Sequence, residues 1–153
     1  MTDRSELALQ LTDAVAAAHA AVQHAGDRAF RAYGLSHRAH AALTAVDVGG
    51  PDGARPMEIA AQLGVSRAAA TTFIQRLETK GLVETTPDSE DDRGVRVTLT
   101  RRGLEVLLRA GQLERRLAAR AIEGLPASSI ARTVHLLQEF RRRLEEKQIG
   151  VVH

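Results

Sequence analysis

Cysteine is absent from the 153 residues, which excludes a disulfide framework, an iron-sulfur cluster, a thiolate zinc site, a catalytic thiol and a thiol redox switch. Aromatic residues make up 3% of the chain, too few for the stacked platforms that hold single-stranded nucleic acid. No apolar run approaches the roughly 20 residues of a bilayer span. Asp3 and Glu6 stand where a signal peptide needs a basic start and an apolar core. The expectation is a cytoplasmic protein without membrane association. Lysine is scarce: Lys80 and Lys147 stand against 19 arginines. The rigid guanidinium fork suits phosphate and guanine, although a GC-rich genome gives the same bias. With 21 basic and 19 acidic residues the formal net charge is +2, so bulk charge identifies no polyanion partner. Catalytic signatures are missing too. The absence of G-x-S-x-G, H-E-x-x-H and G-x-x-x-x-G-K argues against an enzyme, and nothing calls for a cofactor.

What is present is helical periodicity. A chain that is 44% hydrophobic and 26% charged fits one compact domain over residues 1–153. Leu7, Leu11, Val15, Ala18 and Val22 recur at steps of three and four, predicting a long amphipathic helix from about Asp3 to Arg31, with Asp3 and Glu6 as a capping box. Gly34 stops it, and Ser36 caps a second helix through about Val48. A glycine-rich loop, 49–55, leads to Pro56 as a first helical residue. The short helix that follows ends at Gly64; Ser66 caps the next, Arg67 to Lys80, which Gly81 closes. Two short helices with a glycine at the joint form a helix-turn-helix pattern.

Leu82 to Thr86 and Val95 to Leu99 read as strands around a polar turn from Pro87 to Gly94. Val95, Val97 and Leu99 alternate inward with Arg96 and Thr98 outward. A hairpin straight after the second helix is the order of a winged helix. The expected architecture is therefore mainly α with a small β-hairpin wing. Residues 55–100 form a winged helix-turn-helix lobe for DNA. A further helix from Leu104 towards Ile122, broken at 124–126, and a last helix to about Lys147 carry more apolar stripe than such a lobe covers. Residues 1–48 and 101–147 are accordingly expected to pair with a second copy as dimerisation helices.

On the second helix of the motif, Ala70, Phe73, Ile74 and Leu77 share one side, with Ala68, Thr71, Thr72 and Gln75 opposite. The first set is core. The second is slim and uncharged, suited to base edges; Arg67 and Arg76 flank it as candidate phosphate contacts, and Ser66, the cap, is counted with the DNA-binding residues. In the wing, Asp88, Glu90, Asp91 and Asp92 bring four acids towards a phosphate surface, with Arg93 and Arg96 as the bases. One carboxylate orienting Arg93 towards the narrow minor groove would reconcile them. Residues 55–102 hold eight bases and seven acids, so placement must carry affinity.

Glu58-Ile-Ala-Ala-Gln-Leu-Gly-Val-Ser66, Arg76-Leu-Glu-Thr-Lys-Gly-Leu-Val83, and Asp91-Asp-Arg-Gly-Val-Arg-Val-Thr-Leu-Thr-Arg-Arg-Gly103 closely resemble the multiple antibiotic resistance regulator (MarR) family. Tyr33-Gly-Leu-Ser36 agrees with the family's plan. The resemblance implies a homodimeric winged-helix transcription factor, usually a repressor, whose reading helices bind successive major grooves of a pseudo-palindromic double-stranded operator. It implies that Asp91 and Arg93 form the family's D-x-R wing motif. The chain departs from the family at Asp92, where a base is frequent, and at Ala68 and Ala69, where hydroxyl residues are common. The resemblance also implies release by a small anionic or phenolic effector, for which Arg31, Tyr33, His37 and His40 are candidates. His37 and His40 have a spacing that some metal sites use, without a third ligand to complete a set. A winged-helix module used only for protein contacts, and a metal-responsive regulator, stay open as alternatives.

Overall fold

The computed structural model describes residues 3–148; the side chains of Asp92, Arg93, Lys147 and Gln148 lie outside the described residues. Its elements are α1 (Arg4–Phe30), α2 (His37–Val48), α3 (Pro56–Leu63), α4 (Arg67–Thr79), β1 (Val83–Asp88), β2 (Asp91–Leu99), α5 (Arg101–Ala121) and α6 (Ala127–Gln148). This is a mainly helical winged helix-turn-helix with one antiparallel hairpin. The chain divides into two units, Met1–Arg115 and Arg116–His153.

In the first unit, short polar side chains start most of the helices and left-handed glycines end several of them. Asp3 caps α1 by accepting from the Ser5 N–H at 3.3 Å. Glu6 does not complete a reciprocal box; its carboxylate accepts from Gln10 instead. At Gly34, φ is +65°, and the chain turns into α2, where Ser36 accepts from the Ala39 N–H. Asp27 of α1 accepts from the His37 N–H at 2.7 Å, pinning one helix to the start of the next. Gly64 and Ser66 end α3 and start α4 in the same manner. Phe30, Leu43, Val46, Ile59, Leu77, Val83 and Val97 form the buried centre, to which α4 contributes Ala70, Ile74 and Leu77.

The hairpin is longer than its composition suggests. Residues 87–94 do not form one polar turn: β1 runs to Asp88, β2 begins at Asp91, and Ser89 and Glu90 make the turn between them. Acid-rich sequence reads as loop, but here the Asp88 side chain folds inward and ends the strand in the interior. A register shift follows Pro87, so that Pro87 faces Val95 while Asp88 faces Asp91. Val97 is buried and Leu99 half-buried as the alternation predicts, whereas Val95 is exposed and Arg96 is half-buried. Ala54, inside the expected loop, pairs with Val97 through two hydrogen bonds of 2.9 Å, an isolated antiparallel bridge that lays this part of the loop against β2.

Thr100 joins the hairpin to α5. Its hydroxyl accepts from the Gly103 N–H at 3.0 Å and donates to the Gly81 carbonyl at 2.7 Å. Gly103 permits this contact, because a Cβ there would sit 1.8 Å from the Leu82 carbonyl oxygen.

In the second unit, Arg142 and Arg143 of α6 hold Glu139 down to about 2 through their hydrogen bonds. Val134, Leu136, Leu137 and Leu144 of the same helix are exposed, as are Leu7, Leu9 and Val22 of α1. Among the described residues no helix is long and apolar enough to cross a membrane.

Gly103→Ala should lower unfolding stability by about 1–3 kcal/mol or more, since backbone and not a flexible side chain must move. Urea denaturation followed by circular dichroism measures this; an unchanged midpoint would show that α5 does not bear on Leu82.

Candidate nucleic-acid interface

The two sides of α4 part as their chemistry demands. Ala70, Ile74 and Leu77 are buried and Phe73 half-buried, while Ser66, Arg67, Ala68, Thr71, Thr72, Gln75 and Arg76 are all exposed. Ser66 is occupied as the cap, accepting from the Ala69 N–H at 3.2 Å. Thr71 donates its hydroxyl proton to the Arg67 carbonyl at 3.0 Å, and Thr72 donates to the Ala68 carbonyl at 3.1 Å. With those protons turned back on the helix, each threonine offers an oxygen acceptor and a methyl group outward. Such a surface can accept from adenine or cytosine amino groups and touch a thymine methyl, and the exposed Gln75 amide can pair with adenine. Arg67 and Arg76 have no ion-pair partner among the described residues, which leaves both guanidiniums open to phosphate.

The wing is arranged differently. Asp91 is exposed at the start of β2, and its Cβ and Cγ lie 3.1 Å from where a side chain on Gly94 would begin. The Arg93 side chain lies outside the described residues. Arg96 points inward: its Nε donates to Asp88 Oδ1 at 3.1 Å, Nη2 to Glu90 Oε2 at 3.0 Å and Nη1 to the Gly53 carbonyl at 3.3 Å. With its donors engaged there, Arg96 is a strut of the wing and not the outward-facing base its place in the alternation suggested. Arg55, which sequence reasoning passed over, completes the arrangement by donating from Nε to Asp88 Oδ2 at 2.6 Å and from Nη2 to Glu90 Oε2 at 2.8 Å. The Glu90 N–H also donates to Asp88 Oδ1, at 3.1 Å. These bonds, Arg55 foremost, hold the Asp88 carboxyl well below the usual carboxylate range. The four acids of the wing thus do not all face outward as charge: Asp88 is buried and Glu90 is paired.

Of the effector candidates, Arg31 is exposed and Tyr33 half-buried on the short turn after α1. His37 stacks parallel to Phe30 at 6.1 Å between ring centroids, and His40 is buried against the same ring at 4.6 Å. Gly26 allows this packing, because a Cβ there would meet His37 Nδ1 at 2.4 Å. His37 also borders a cavity of about 420 Å³ with His19, Gln23, Arg38, Gln62 and Phe73; Arg31, Tyr33 and His40 do not. Burial lowers the His40 pKa below its ordinary 6.5, against the opposing pull of Glu114 at 3.6 Å. Among the described residues no group of three or more His, Cys, Asp or Glu side chains is placed to hold a metal ion.

Acid should destabilise the protein in two steps. The folded state disfavours the His40 cation, so stability should fall as pH drops below 6.5; it favours the Glu139 and Asp88 anions, so a second fall should begin below 4.5 and deepen below 3.8. Melting temperatures between about pH 8 and about pH 3 measure both limbs. His40→Gln should flatten the first limb and Asp88→Asn should reduce the second, leaving the part that Glu139 contributes, and a wild-type curve without either limb would contradict these assignments.

Residues 33–94, the helix-turn-helix and most of the wing, match the family model described as MarR family. The HTH-type transcriptional repressor IacR of Pseudomonas putida is 30% identical over 88 residues, which cover 58% of this chain and 53% of IacR; the chain thus spans about half the length of that curated relative. A mutant MarR from E. coli complexed with operator DNA shares the fold with a TM-score of 0.80 and 23% identity, over 91% of this chain and 99% of that one. CouR from Rhodococcus jostii, bound to p-coumaroyl-CoA, gives a TM-score of 0.76 and 22% identity, over 85% and 90%. The family match falls on the winged-helix lobe and the fold is shared over nine-tenths of the length, so this chain is similar to the MarR family in that lobe and to a MarR structure in its fold.

Proposed function

We propose that the chain is a sequence-specific double-stranded DNA-binding transcriptional regulator, a homodimer that represses from a pseudo-palindromic operator and releases it when a small ligand binds. The observation that carries this reading is the divided surface of α4, with Ala68, Thr71, Thr72 and Gln75 exposed between two guanidiniums that have no ion-pair partner among the described residues, while the opposite side is anchored in the core. Ser66, Arg67 and Arg76 contact phosphates; Thr71, Thr72 and Gln75 meet base edges in the major groove. Asp91 and Arg93 form the wing contact, with Arg93 in the minor groove.

The homodimer is supported by exposed apolar side chains on α1, α5 and α6, among them Leu7, Val22, Leu108 and Leu137, which a second copy would cover. Repression follows the reading of IacR, and operator binding that of the MarR complex. The effector reading rests on the cavity beside His37, where His37 and Arg38 offer cationic or donor groups to an acid and Leu63 and Phe73 offer an apolar wall to a ring. CouR, in its complex, holds an aromatic acyl thioester.

Selecting bound duplexes from a random pool, then titrating the winner against salt, tests the reading. Affinity should fall steeply as salt rises; a protein that selects no duplex even at low salt is a protein-contact module instead. Gln75→Ala should erase about 1–3 kcal/mol of preference at one base position and leave the others. Arg93→Ala should weaken binding about tenfold, or 1.4 kcal/mol, without unfolding the dimer. Unchanged preference or affinity would remove the corresponding residue from the interface.

A further inference from the structure

Arg96 belongs to the hairpin and moves with it, as do Asp88 and Glu90. Arg55 does not: it stands immediately before α3, 33 residues from Asp88, at the junction with the helix-turn-helix. Its backbone N–H is tied to the Glu58 carboxylate of α3 at 2.7 Å, while its side chain crosses to the wing. Residues 53–55 of the lobe therefore hold the hairpin by polar links at two levels. One is the Ala54–Val97 backbone pair, beside Thr85 in the register, with the Arg96 Nη1 bond to the Gly53 carbonyl next to it. The other is the Arg55 grip on Asp88 and Glu90, three residues farther along β1 and so roughly 10 Å closer to the tip at 3.3 Å per residue. The first level and the buried Val83 and Val97 fix the base of the hairpin; the second ties down Asp88 and Glu90 at its tip. Arg55 also offsets acid charge on a surface that would otherwise repel phosphate.

We infer that Arg55 positions the wing against the reading helix and is thereby a determinant of operator affinity that acts without touching DNA. This rests on the DNA-binding reading above, and the experiment separates the two. Arg55→Met keeps the length of the stem and removes the fork; Arg55→Lys keeps the charge without the planar pair of donors. In the free protein, exchange of the Glu90 amide, which is bonded to Asp88, should quicken about tenfold in Arg55→Met while α4 amides stay protected. On a duplex selected with the wild type, Arg55→Met should bind about tenfold more weakly and Arg55→Lys should fall between. In an Arg93→Ala background the same Met substitution should cost less than about twofold, because the wing is already disengaged.

Additive losses in the double variant would mean that Arg55 contacts the phosphate backbone itself, which overturns positioning. Unchanged affinity, or unchanged Glu90 exchange, in a protein that still selects DNA would overturn the role of Arg55 alone. If the wild type selects no duplex, the proposed function and the affinity claim fall together, and Glu90 exchange decides whether Arg55 orders the wing.

Discussion

A charged carboxylate without access to solvent persists only where hydrogen bonds and opposite charge replace the water it has lost, and Asp88 is such a group. Two guanidiniums and a backbone N–H meet it. That requirement sets where β1 ends, keeps the turn to Ser89 and Glu90, draws Arg96 inward and brings residues 53–55 against β2. Gly53 has a φ of +74°, and a Cβ there would meet the Val97 carbonyl oxygen at 2.8 Å, so the close approach needs that residue type. An acidic wing is thereby made compatible with a polyanion: part of its charge is spent inside the protein.

Helix α4 has rigid support behind it. Ala70, Ile74 and Leu77 seat α4 in the core, and the hydroxyl of Thr100 links the carbonyl of Gly81, just past the end of α4, to the start of α5. A surface held this way presents its side chains in one arrangement, which base recognition at hydrogen-bond distances demands. At the other end of the lobe, Phe30 orders the α1–α2 corner by receiving both histidines on its ring. That leaves His37 at the border of a cavity and His40 buried, a division of two candidates that looked equivalent on one helix.

Much of this was legible residue by residue. Ser36, Gly34, Gly64, Ser66 and Gly81 act through backbone groups within a few positions of themselves, so capping rules locate the joints of the motif closely. The exposed side of α4 followed from a 3.6-residue period. The wing was misread at its tip because polarity signals a loop only when the polar groups face water, and Asp88 meets a partner 33 residues away. Arg55 carries no local signal: before Pro56 it reads as one more loop arginine. Arg96 was assigned outward by strand alternation, which gives a side chain's face but not what else is packed on that face.

Sequence by itself determined the helices, their caps, the helix-turn-helix followed by a hairpin, and the slim uncharged side of α4, because each rests on interactions within about one or two helical turns or on strict periodicity. Tertiary structure alone decided which charges are spent inside and which remain on the surface. It paired Arg55 and Arg96 with Asp88 and Glu90, left Arg67 and Arg76 exposed, and set His40 apart from His37. The reason is physical: a charge's state is set by what surrounds it in space, and for these groups the surroundings come from distant stretches of the chain.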